Sequence, residues 1–185
     1  MHRELVQRAQ NGDLDAFSTL TVVPTPKLYA AARLILRDDE RAADAVQDAL
    51  LQAWIDIRAL RDPDRFEAWL HKLLVRTCYA AAKRQRTRMA AEIRWLPMGE
   101  PTIGDSQSSV AVRDQLDRAF IHLSTDHRTV IVLVHYLGLS LAEAAQAIGV
   151  PLGTIQSRLS RATQNMRAAL EAGDRPTQRA VEAAR

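Results

Sequence analysis

Apolar residues recur three and four positions apart along almost the whole chain, and alternating strand-like runs are nearly absent. At 3.6 residues per turn that spacing gathers apolar side chains on one side of each helix, which restricts the chain to an all-helical fold. Proline and capping residues set the breaks. Pro24 and Pro26 forbid a continuous helix between Leu14 and Leu36, leaving one or two short ones. Asp38 or Asp39 can cap a helix running to about Arg58. Asp62-Pro63, a cap followed by proline at the first helical position, opens another that runs into the late eighties.

The pattern changes between Leu96 and Val112. This run has two prolines, two glycines, three serines and no lysine or arginine, the composition of a linker. The sequence therefore predicts two small helical units, 1–93 and 113–172, joined by a linker at 94–112 and followed by a polar tail, 173–185, that frays. The single cysteine, Cys78, rules out an internal disulfide framework and any CxxC metal site, and fits a reducing compartment. No apolar run approaches membrane-spanning length, and the first residues lack the apolar core of a secretion signal. A soluble cytoplasmic protein without membrane insertion is expected.

The net charge of +3 does not by itself announce nucleic acid, so the distribution of charge has to decide. Ser140-Leu-Ala-Glu143 forms a capping box ahead of a helix from Leu141 to Ile148, which Gly149 breaks; Pro151 lies near the start of the next. In that next helix, Leu152, Ile155, Leu159, Ala162 and Met166 gather on one side. Opposite them sit Ser157, Arg161 and Gln164, flanked by Gln156 and Ser160 on one side and Arg158 and Asn165 on the other. No acid occurs between Glu143 and Glu171. A capped helix, a glycine turn and a second helix with an acid-free face of Arg, Ser, Gln and Asn make a helix-turn-helix. Its second helix suits the major groove, where Arg reads guanine and Gln can read adenine.

Two faces stand out in the first unit. On the helix from Arg41 to Arg58, Ala42, Val46, Leu50, Ala53 and Ile57 form the apolar stripe, and Arg41, Asp44, Asp48, Gln52 and Asp56 lie opposite. Such a face is either solvated or a docking surface for a basic partner. On the helix from Pro63, Phe66, Leu70, Leu73, Thr77 and Ala81 face inward. Lys72, Arg76, Lys83 and Arg86 share another direction with Tyr79, and no acid lies between Glu67 and Glu92. Four cations without acidic neighbours repel one another, so this stripe fits phosphate contacts with base stacking on an unpaired strand better than a merely solvated face. Cys78 lies off both stripes, as a packed thiol would, and His135 beside Tyr136 reads as a core or subsurface residue. No phosphate loop, nucleophile elbow, paired catalytic carboxylates or metal-ligand spacing is present, so neither an enzyme nor a cofactor is expected.

Two stretches of the first unit, Asp44-Ala-Val-Gln-Asp48-Ala-Leu-Leu-Gln-Ala-Trp54 and Phe66-Glu-Ala-Trp69-Leu70, resemble region 2 of bacterial sigma factors. Gly138-Leu-Ser-Leu-Ala-Glu143-Ala-Ala and Gly153-Thr-Ile-Gln-Ser157-Arg158-Leu-Ser-Arg161-Ala162 resemble region 4. The region 4 pattern alone is shared with LuxR-type regulators; the ordered pair resembles an extracytoplasmic-function (group IV) sigma factor of the sigma-70 family. That resemblance implies two helical domains that bind core RNA polymerase and promoter DNA, with an anti-sigma factor as partner. Asp44, Gln47, Asp48 and Gln52 would face the clamp helices of the β′ subunit, and the β subunit would complete the polymerase contact. The loop Ala59 to Arg65 would trap a flipped −10 base, with Arg65, Lys72, Arg76, Tyr79, Lys83 and Arg86 along that strand. Gln156, Ser157, Arg158, Ser160, Arg161 and Gln164 would meet the −35 element, Arg158 at phosphate. The linker would thread the RNA exit path; about eighteen residues reach up to roughly 60 Å, against about 70 Å for two DNA turns. Two departures stand out. Val22-Val-Pro-Thr-Pro26 replaces a helix-friendly stretch, and Arg76 stands where members often carry asparagine. The alternative is a stand-alone helix-turn-helix regulator whose N-terminal helices only dimerise.

Overall fold

The computed structural model describes residues 2–92, 119–121 and 123–183. The linker, 94–112, and the facing ends of both expected units lie outside those residues. Within them the chain is helical, with no strand. The first unit holds α1 (His2–Gln10), α2 (Leu14–Val22), α3 (Thr25–Leu36), α4 (Asp39–Asp56) and α5 (Phe66–Glu92). The second holds a short helical piece at 119–121, then α6 (Thr125–Ile131), α7 (Leu141–Ile148) and α8 (Leu152–Ala183).

Local chemistry fixes each boundary. Asp13 caps α2 by accepting from the Ala16 amide at 2.9 Å, and Asp38 caps α4 from the Arg41 amide at 2.9 Å. The two prolines divide α2 from α3 without removing either: Pro24 precedes α3 and Pro26 sits in its first turn, where an amide donor has no intrahelical partner to lose. The Thr25 hydroxyl bridges the break by donating to the Thr21 carbonyl at 2.6 Å. Asp62 accepts from the Asp64 amide at 3.1 Å and starts a 3₁₀ turn, Pro63–Arg65, that runs straight into α5. Sequence patterning did not single out α1, which buries only Val6 and Ala9.

In the second unit Ser124 caps α6, which passes into a π-helical turn at Val132–Tyr136. His135 and Tyr136 are exposed on that turn rather than buried. The capping box at α7 is complete: the Glu143 amide donates to Ser140 Oγ at 3.2 Å, and the Ser140 amide donates to Glu143 Oε2 at 2.9 Å. Gly149 ends α7 at φ 78°, a left-handed conformation that costs glycine little. Helix α8 continues past Gly173 to Ala183, where the composition had predicted a frayed tail.

The two units share one core. α5 packs against α3 and α4 on one side and α7 on the other, and α3 also meets α6. The buried arc of α5 is consequently wider than the stripe read from its sequence. Leu74, Val75, Cys78 and His71 are buried in addition to Phe66, Leu70 and Leu73. Burial pushes the Cys78 thiol up to about 12, so it is an inert packing group. Burial, reinforced by Lys27, likewise holds His71 below its ordinary value.

Hydrogen bonds from the Ser140 hydroxyl and then its amide hold the Glu143 carboxyl below its ordinary 4.5. A depressed acid stabilises the fold above its unfolded value and ceases to do so as pH falls through the folded one. Ser140→Ala should destabilise the chain by about 1 kcal/mol in denaturant unfolding. The destabilisation caused by Glu143→Ala should be present at pH 7 and diminish progressively as pH falls below about 4.5; a loss independent of pH would mean that the carboxylate is not what matters.

Candidate nucleic-acid interface

The turn at Gly149 and the Thr154 amide donating to the Pro151 carbonyl at 2.9 Å set the angle at which α8 leaves α7. Ile155 and Ala162 are fully buried and Leu159 and Met166 half-buried, which fixes the helix's rotation. Gln156, Ser157, Ser160, Arg161, Gln164 and Asn165 are then exposed together. Leu152 departs from the expected stripe: at the first position of the helix it lies beyond the cover of the neighbouring helices and is 45% exposed. The Ser157 hydroxyl donates back to the Thr154 carbonyl at 3.0 Å, so its oxygen faces outward as an acceptor.

Arg158 differs from its neighbours. It lies at the edge of this face and pairs with Asp126 of α6 at 2.9 Å, both side chains about one-third exposed or less. Sequence order hid this, since no acid lies near Arg158 along the chain; the fold brings one from thirty-two positions away.

On α5, Arg76 and Lys83 are exposed and Lys72 is half-buried; the Arg86 side chain lies outside the described residues. Tyr79 is less available than its position in the stripe implied. Its hydroxyl is buried near Asp126 and Thr129 of α6 without a well-formed hydrogen bond, and burial, then Asp126, push it up to about 12. Tyr79 therefore joins the contact between the units, while also lining an open cleft with Ala80, Ala82 and Lys83. Before α5, Arg65 is exposed and pairs with Asp62 at 3.5 Å, close enough to α7 to influence Glu143.

The outer face of α4 carries Asp44, Gln47, Asp48 and Gln52, all exposed. Gln52 donates to Asp56 at 2.7 Å, and Arg84 of α5 approaches Asp48 at 3.8 Å. Sequence reading missed two members of this face. Leu51 and Ile55 are 58% and 61% exposed. Their phase, opposite the buried Ala42, Val46, Ala49 and Ala53, was the available signal. The face is thus a pair of aliphatics framed by acids. Among the described residues no group of three His, Cys, Asp or Glu side chains can hold a metal, and no helix is long and apolar enough to cross a membrane.

A helix-turn-helix with an acid-free exposed face, beside a second unit bearing a basic helix, defines a two-unit helical protein of the nucleic-acid-binding class. Residues 25–88 match the family described as Sigma-70 region 2, and residues 113–166 match Sigma-70, region 4. The chain is 32% identical over 160 residues to the ECF RNA polymerase sigma factor SigM of Mycobacterium tuberculosis, covering 86% of this chain and 79% of SigM. It is 30% identical over 181 residues to the RNA polymerase sigma factor CnrH of Cupriavidus metallidurans, covering 92% and 94%. Among solved structures, the sigma factor RpoE in complex with the anti-sigma factor NepR from Bartonella quintana superposes with a TM-score of 0.68 at 29% identity, covering 84% of this chain and 96% of that one. CnrH in complex with the cytosolic domain of CnrY gives 0.63 at 28% identity, covering 92% and 97%. The chain belongs to the extracytoplasmic-function sigma factors of the sigma-70 family, and is an RNA polymerase sigma factor. The stand-alone regulator is not favoured, because both sigma regions occur in order in one chain.

Asp126→Asn should leave Arg158 without its partner. Binding of the full chain to non-specific duplex should then tighten by up to about fivefold, the worth of a partly exposed ion pair, and become more salt-dependent. Unchanged affinity and salt slope in a filter or fluorescence titration would show that Arg158 is not held back by Asp126.

Proposed function

We propose that this sigma factor directs core RNA polymerase to promoters by reading two elements with two cationic helix faces. The observation that carries this reading is that each sigma region presents one exposed face on an acid-free stretch of helix: Arg76 and Lys83 on α5 between Glu67 and Glu92, and Arg161 with Gln156, Ser157, Ser160 and Gln164 on α8 before Glu171. Helix α8 reads the −35 element, Arg161 toward a base edge and Arg158 toward phosphate once released from Asp126. The α5 face, with Lys72, Tyr79 and Arg86, follows the −10 strand, and the 59–65 loop, with Arg65, holds an unstacked base. Arg76 in place of asparagine gives this factor its own preference beside that base.

The outer face of α4 docks on the clamp helices of the β′ subunit, with the β subunit completing the contact. Leu51 and Ile55 supply apolar area there, while Asp44, Gln47, Asp48 and Gln52 select a basic partner surface. An anti-sigma factor controls access; two solved relatives, superposing over both units, are complexes with such partners or with a partner's cytosolic domain. Sigma factors are non-catalytic regulatory proteins, and we read this chain as acting in the cytoplasm and performing no chemistry itself.

Run-off transcription with core polymerase tests the reading. A template-specific transcript is expected; absence of both transcript and core binding refutes it. Arg161→Ala should cost about 1–3 kcal/mol at one −35 base pair and relax selectivity there, whereas an equal loss on every sequence would place Arg161 at phosphate. Lys83→Ala should weaken open-complex formation and flatten its salt dependence; an unchanged slope would remove Lys83 from the backbone contacts.

A further inference from the structure

Helix α1 lies outside both regions matched to the sigma family, yet it holds both ends of the connection between α4 and α5. The Gln10 side-chain amide donates to two backbone carbonyls of that connection, Ile57 at 3.1 Å and Leu60 at 2.8 Å, from a partly buried position. Arg58 returns a bond, its Nε donating to the Gln10 carbonyl at 3.1 Å. At the other end Arg3 Nη2 meets Asp64 at 2.7 Å, and the His2 ring lies edge-on to Phe66 with centroids 5.9 Å apart. Between these ties Arg61, Asp62 and Arg65 project into solvent.

The ties are unequal. Arg3 and Asp64 are 61% and 63% exposed, so water and salt compete for that pair. Gln10 is sheltered and gives both amide hydrogens to carbonyls three positions apart in the chain, which pins the peptide units from Ile57 to Leu60 against the end of α1. A displacement of that segment moves the exposed loop that follows it.

We infer that Gln10 is a positioning residue for promoter selectivity: it fixes the shape of the 59–65 loop, and through it the discrimination of the −10 base. This rests on the reading that the loop holds that base, and extends it to a helix outside the two matched regions. Loop shape sets which base fits, because a displacement of about 1 Å in a contact surface is enough to forfeit much of its discrimination.

The test uses the full chain with core polymerase and promoters carrying single substitutions across the −10 and −35 elements. Open-complex yield is read as the ratio of preferred to disfavoured base at each position. Gln10→Leu keeps the side chain's bulk and removes both donors; it should reduce the ratio at one −10 position about tenfold and leave every −35 ratio unchanged. Gln10→Lys, which retains donors at the end of a flexible side chain, should recover most of the lost ratio. Arg3→Ala, at an exposed site that leaves the core intact, should erode the same ratio by a smaller factor, and keeps the inference testable if Gln10→Leu melts. Equal loss at −10 and −35 positions, or unchanged −10 ratios in both Gln10→Leu and Arg3→Ala, overturns it. Arg61→Ala and Asp62→Ala separate the two levels. If they alter the −10 ratios while the Gln10 and Arg3 variants do not, the inference fails and the loop reading stands. If they too are silent, the loop reading itself fails.

Discussion

Burial around α5 is the constraint on which the rest of the structure depends. Phe66, Leu70 and Leu74 are completely buried, and the arc continues through Cys78 to Val75 because helices of both units press on it. Each large aliphatic or aromatic side chain removed from water contributes roughly 1.5–3 kcal/mol, so this one helix supplies much of the cohesion of both units. It also fixes rotation. Arg76 and Lys83 are left on the side of the helix that faces water.

The same economy explains the electrostatics. The cationic faces of α5 and α8 lie on stretches without acids, between Glu67 and Glu92 and between Leu152 and Glu171, which would leave like charges crowded together. Neighbouring helices supply the counter-charges instead: Asp48 approaches Arg84, and Asp126 holds Arg158. These are exposed or half-exposed pairs, weak enough for a polyanion to displace. Asp126 also borders the buried Tyr79 hydroxyl, so one carboxylate lies against both α5 and α8.

Helix positions and most of the exposed faces were legible in the sequence because periodicity and capping are local. Asp38, Asp62, Ser140 and Gly149 stand where capping chemistry required, and Ser157, Arg161 and Gln164 lie on the exposed face that helical phase assigned them. What was not legible depends on contacts distant in sequence. The Asp126–Arg158 pair, the covering of Tyr79 and the bonds from Gln10 to Ile57 and Leu60 join residues between thirty-two and fifty positions apart. Helix α1 was passed over for a related reason: two small buried residues, Val6 and Ala9, make too short a stripe to announce a helix. Leu51 and Ile55 were overlooked although their phase was visible, because apolar residues on an amphipathic helix are ordinarily counted toward its core.

The central claim is that two separate faces of one chain grip two promoter elements when polymerase is present. Cys78 is buried and its thiol pushed up to about 12, so a cysteine introduced at Ser157 or at Lys83 is the only reactive one. A DNA-cleaving reagent tethered at each position in turn, on full chain bound to core polymerase and promoter, measures where each face lies. Cuts centred about two helical turns apart, roughly 70 Å along the duplex, are predicted, with the Lys83 tether cutting the upstream edge of the melted region. Cuts at the same place from both tethers, or none from Lys83, would contradict the account.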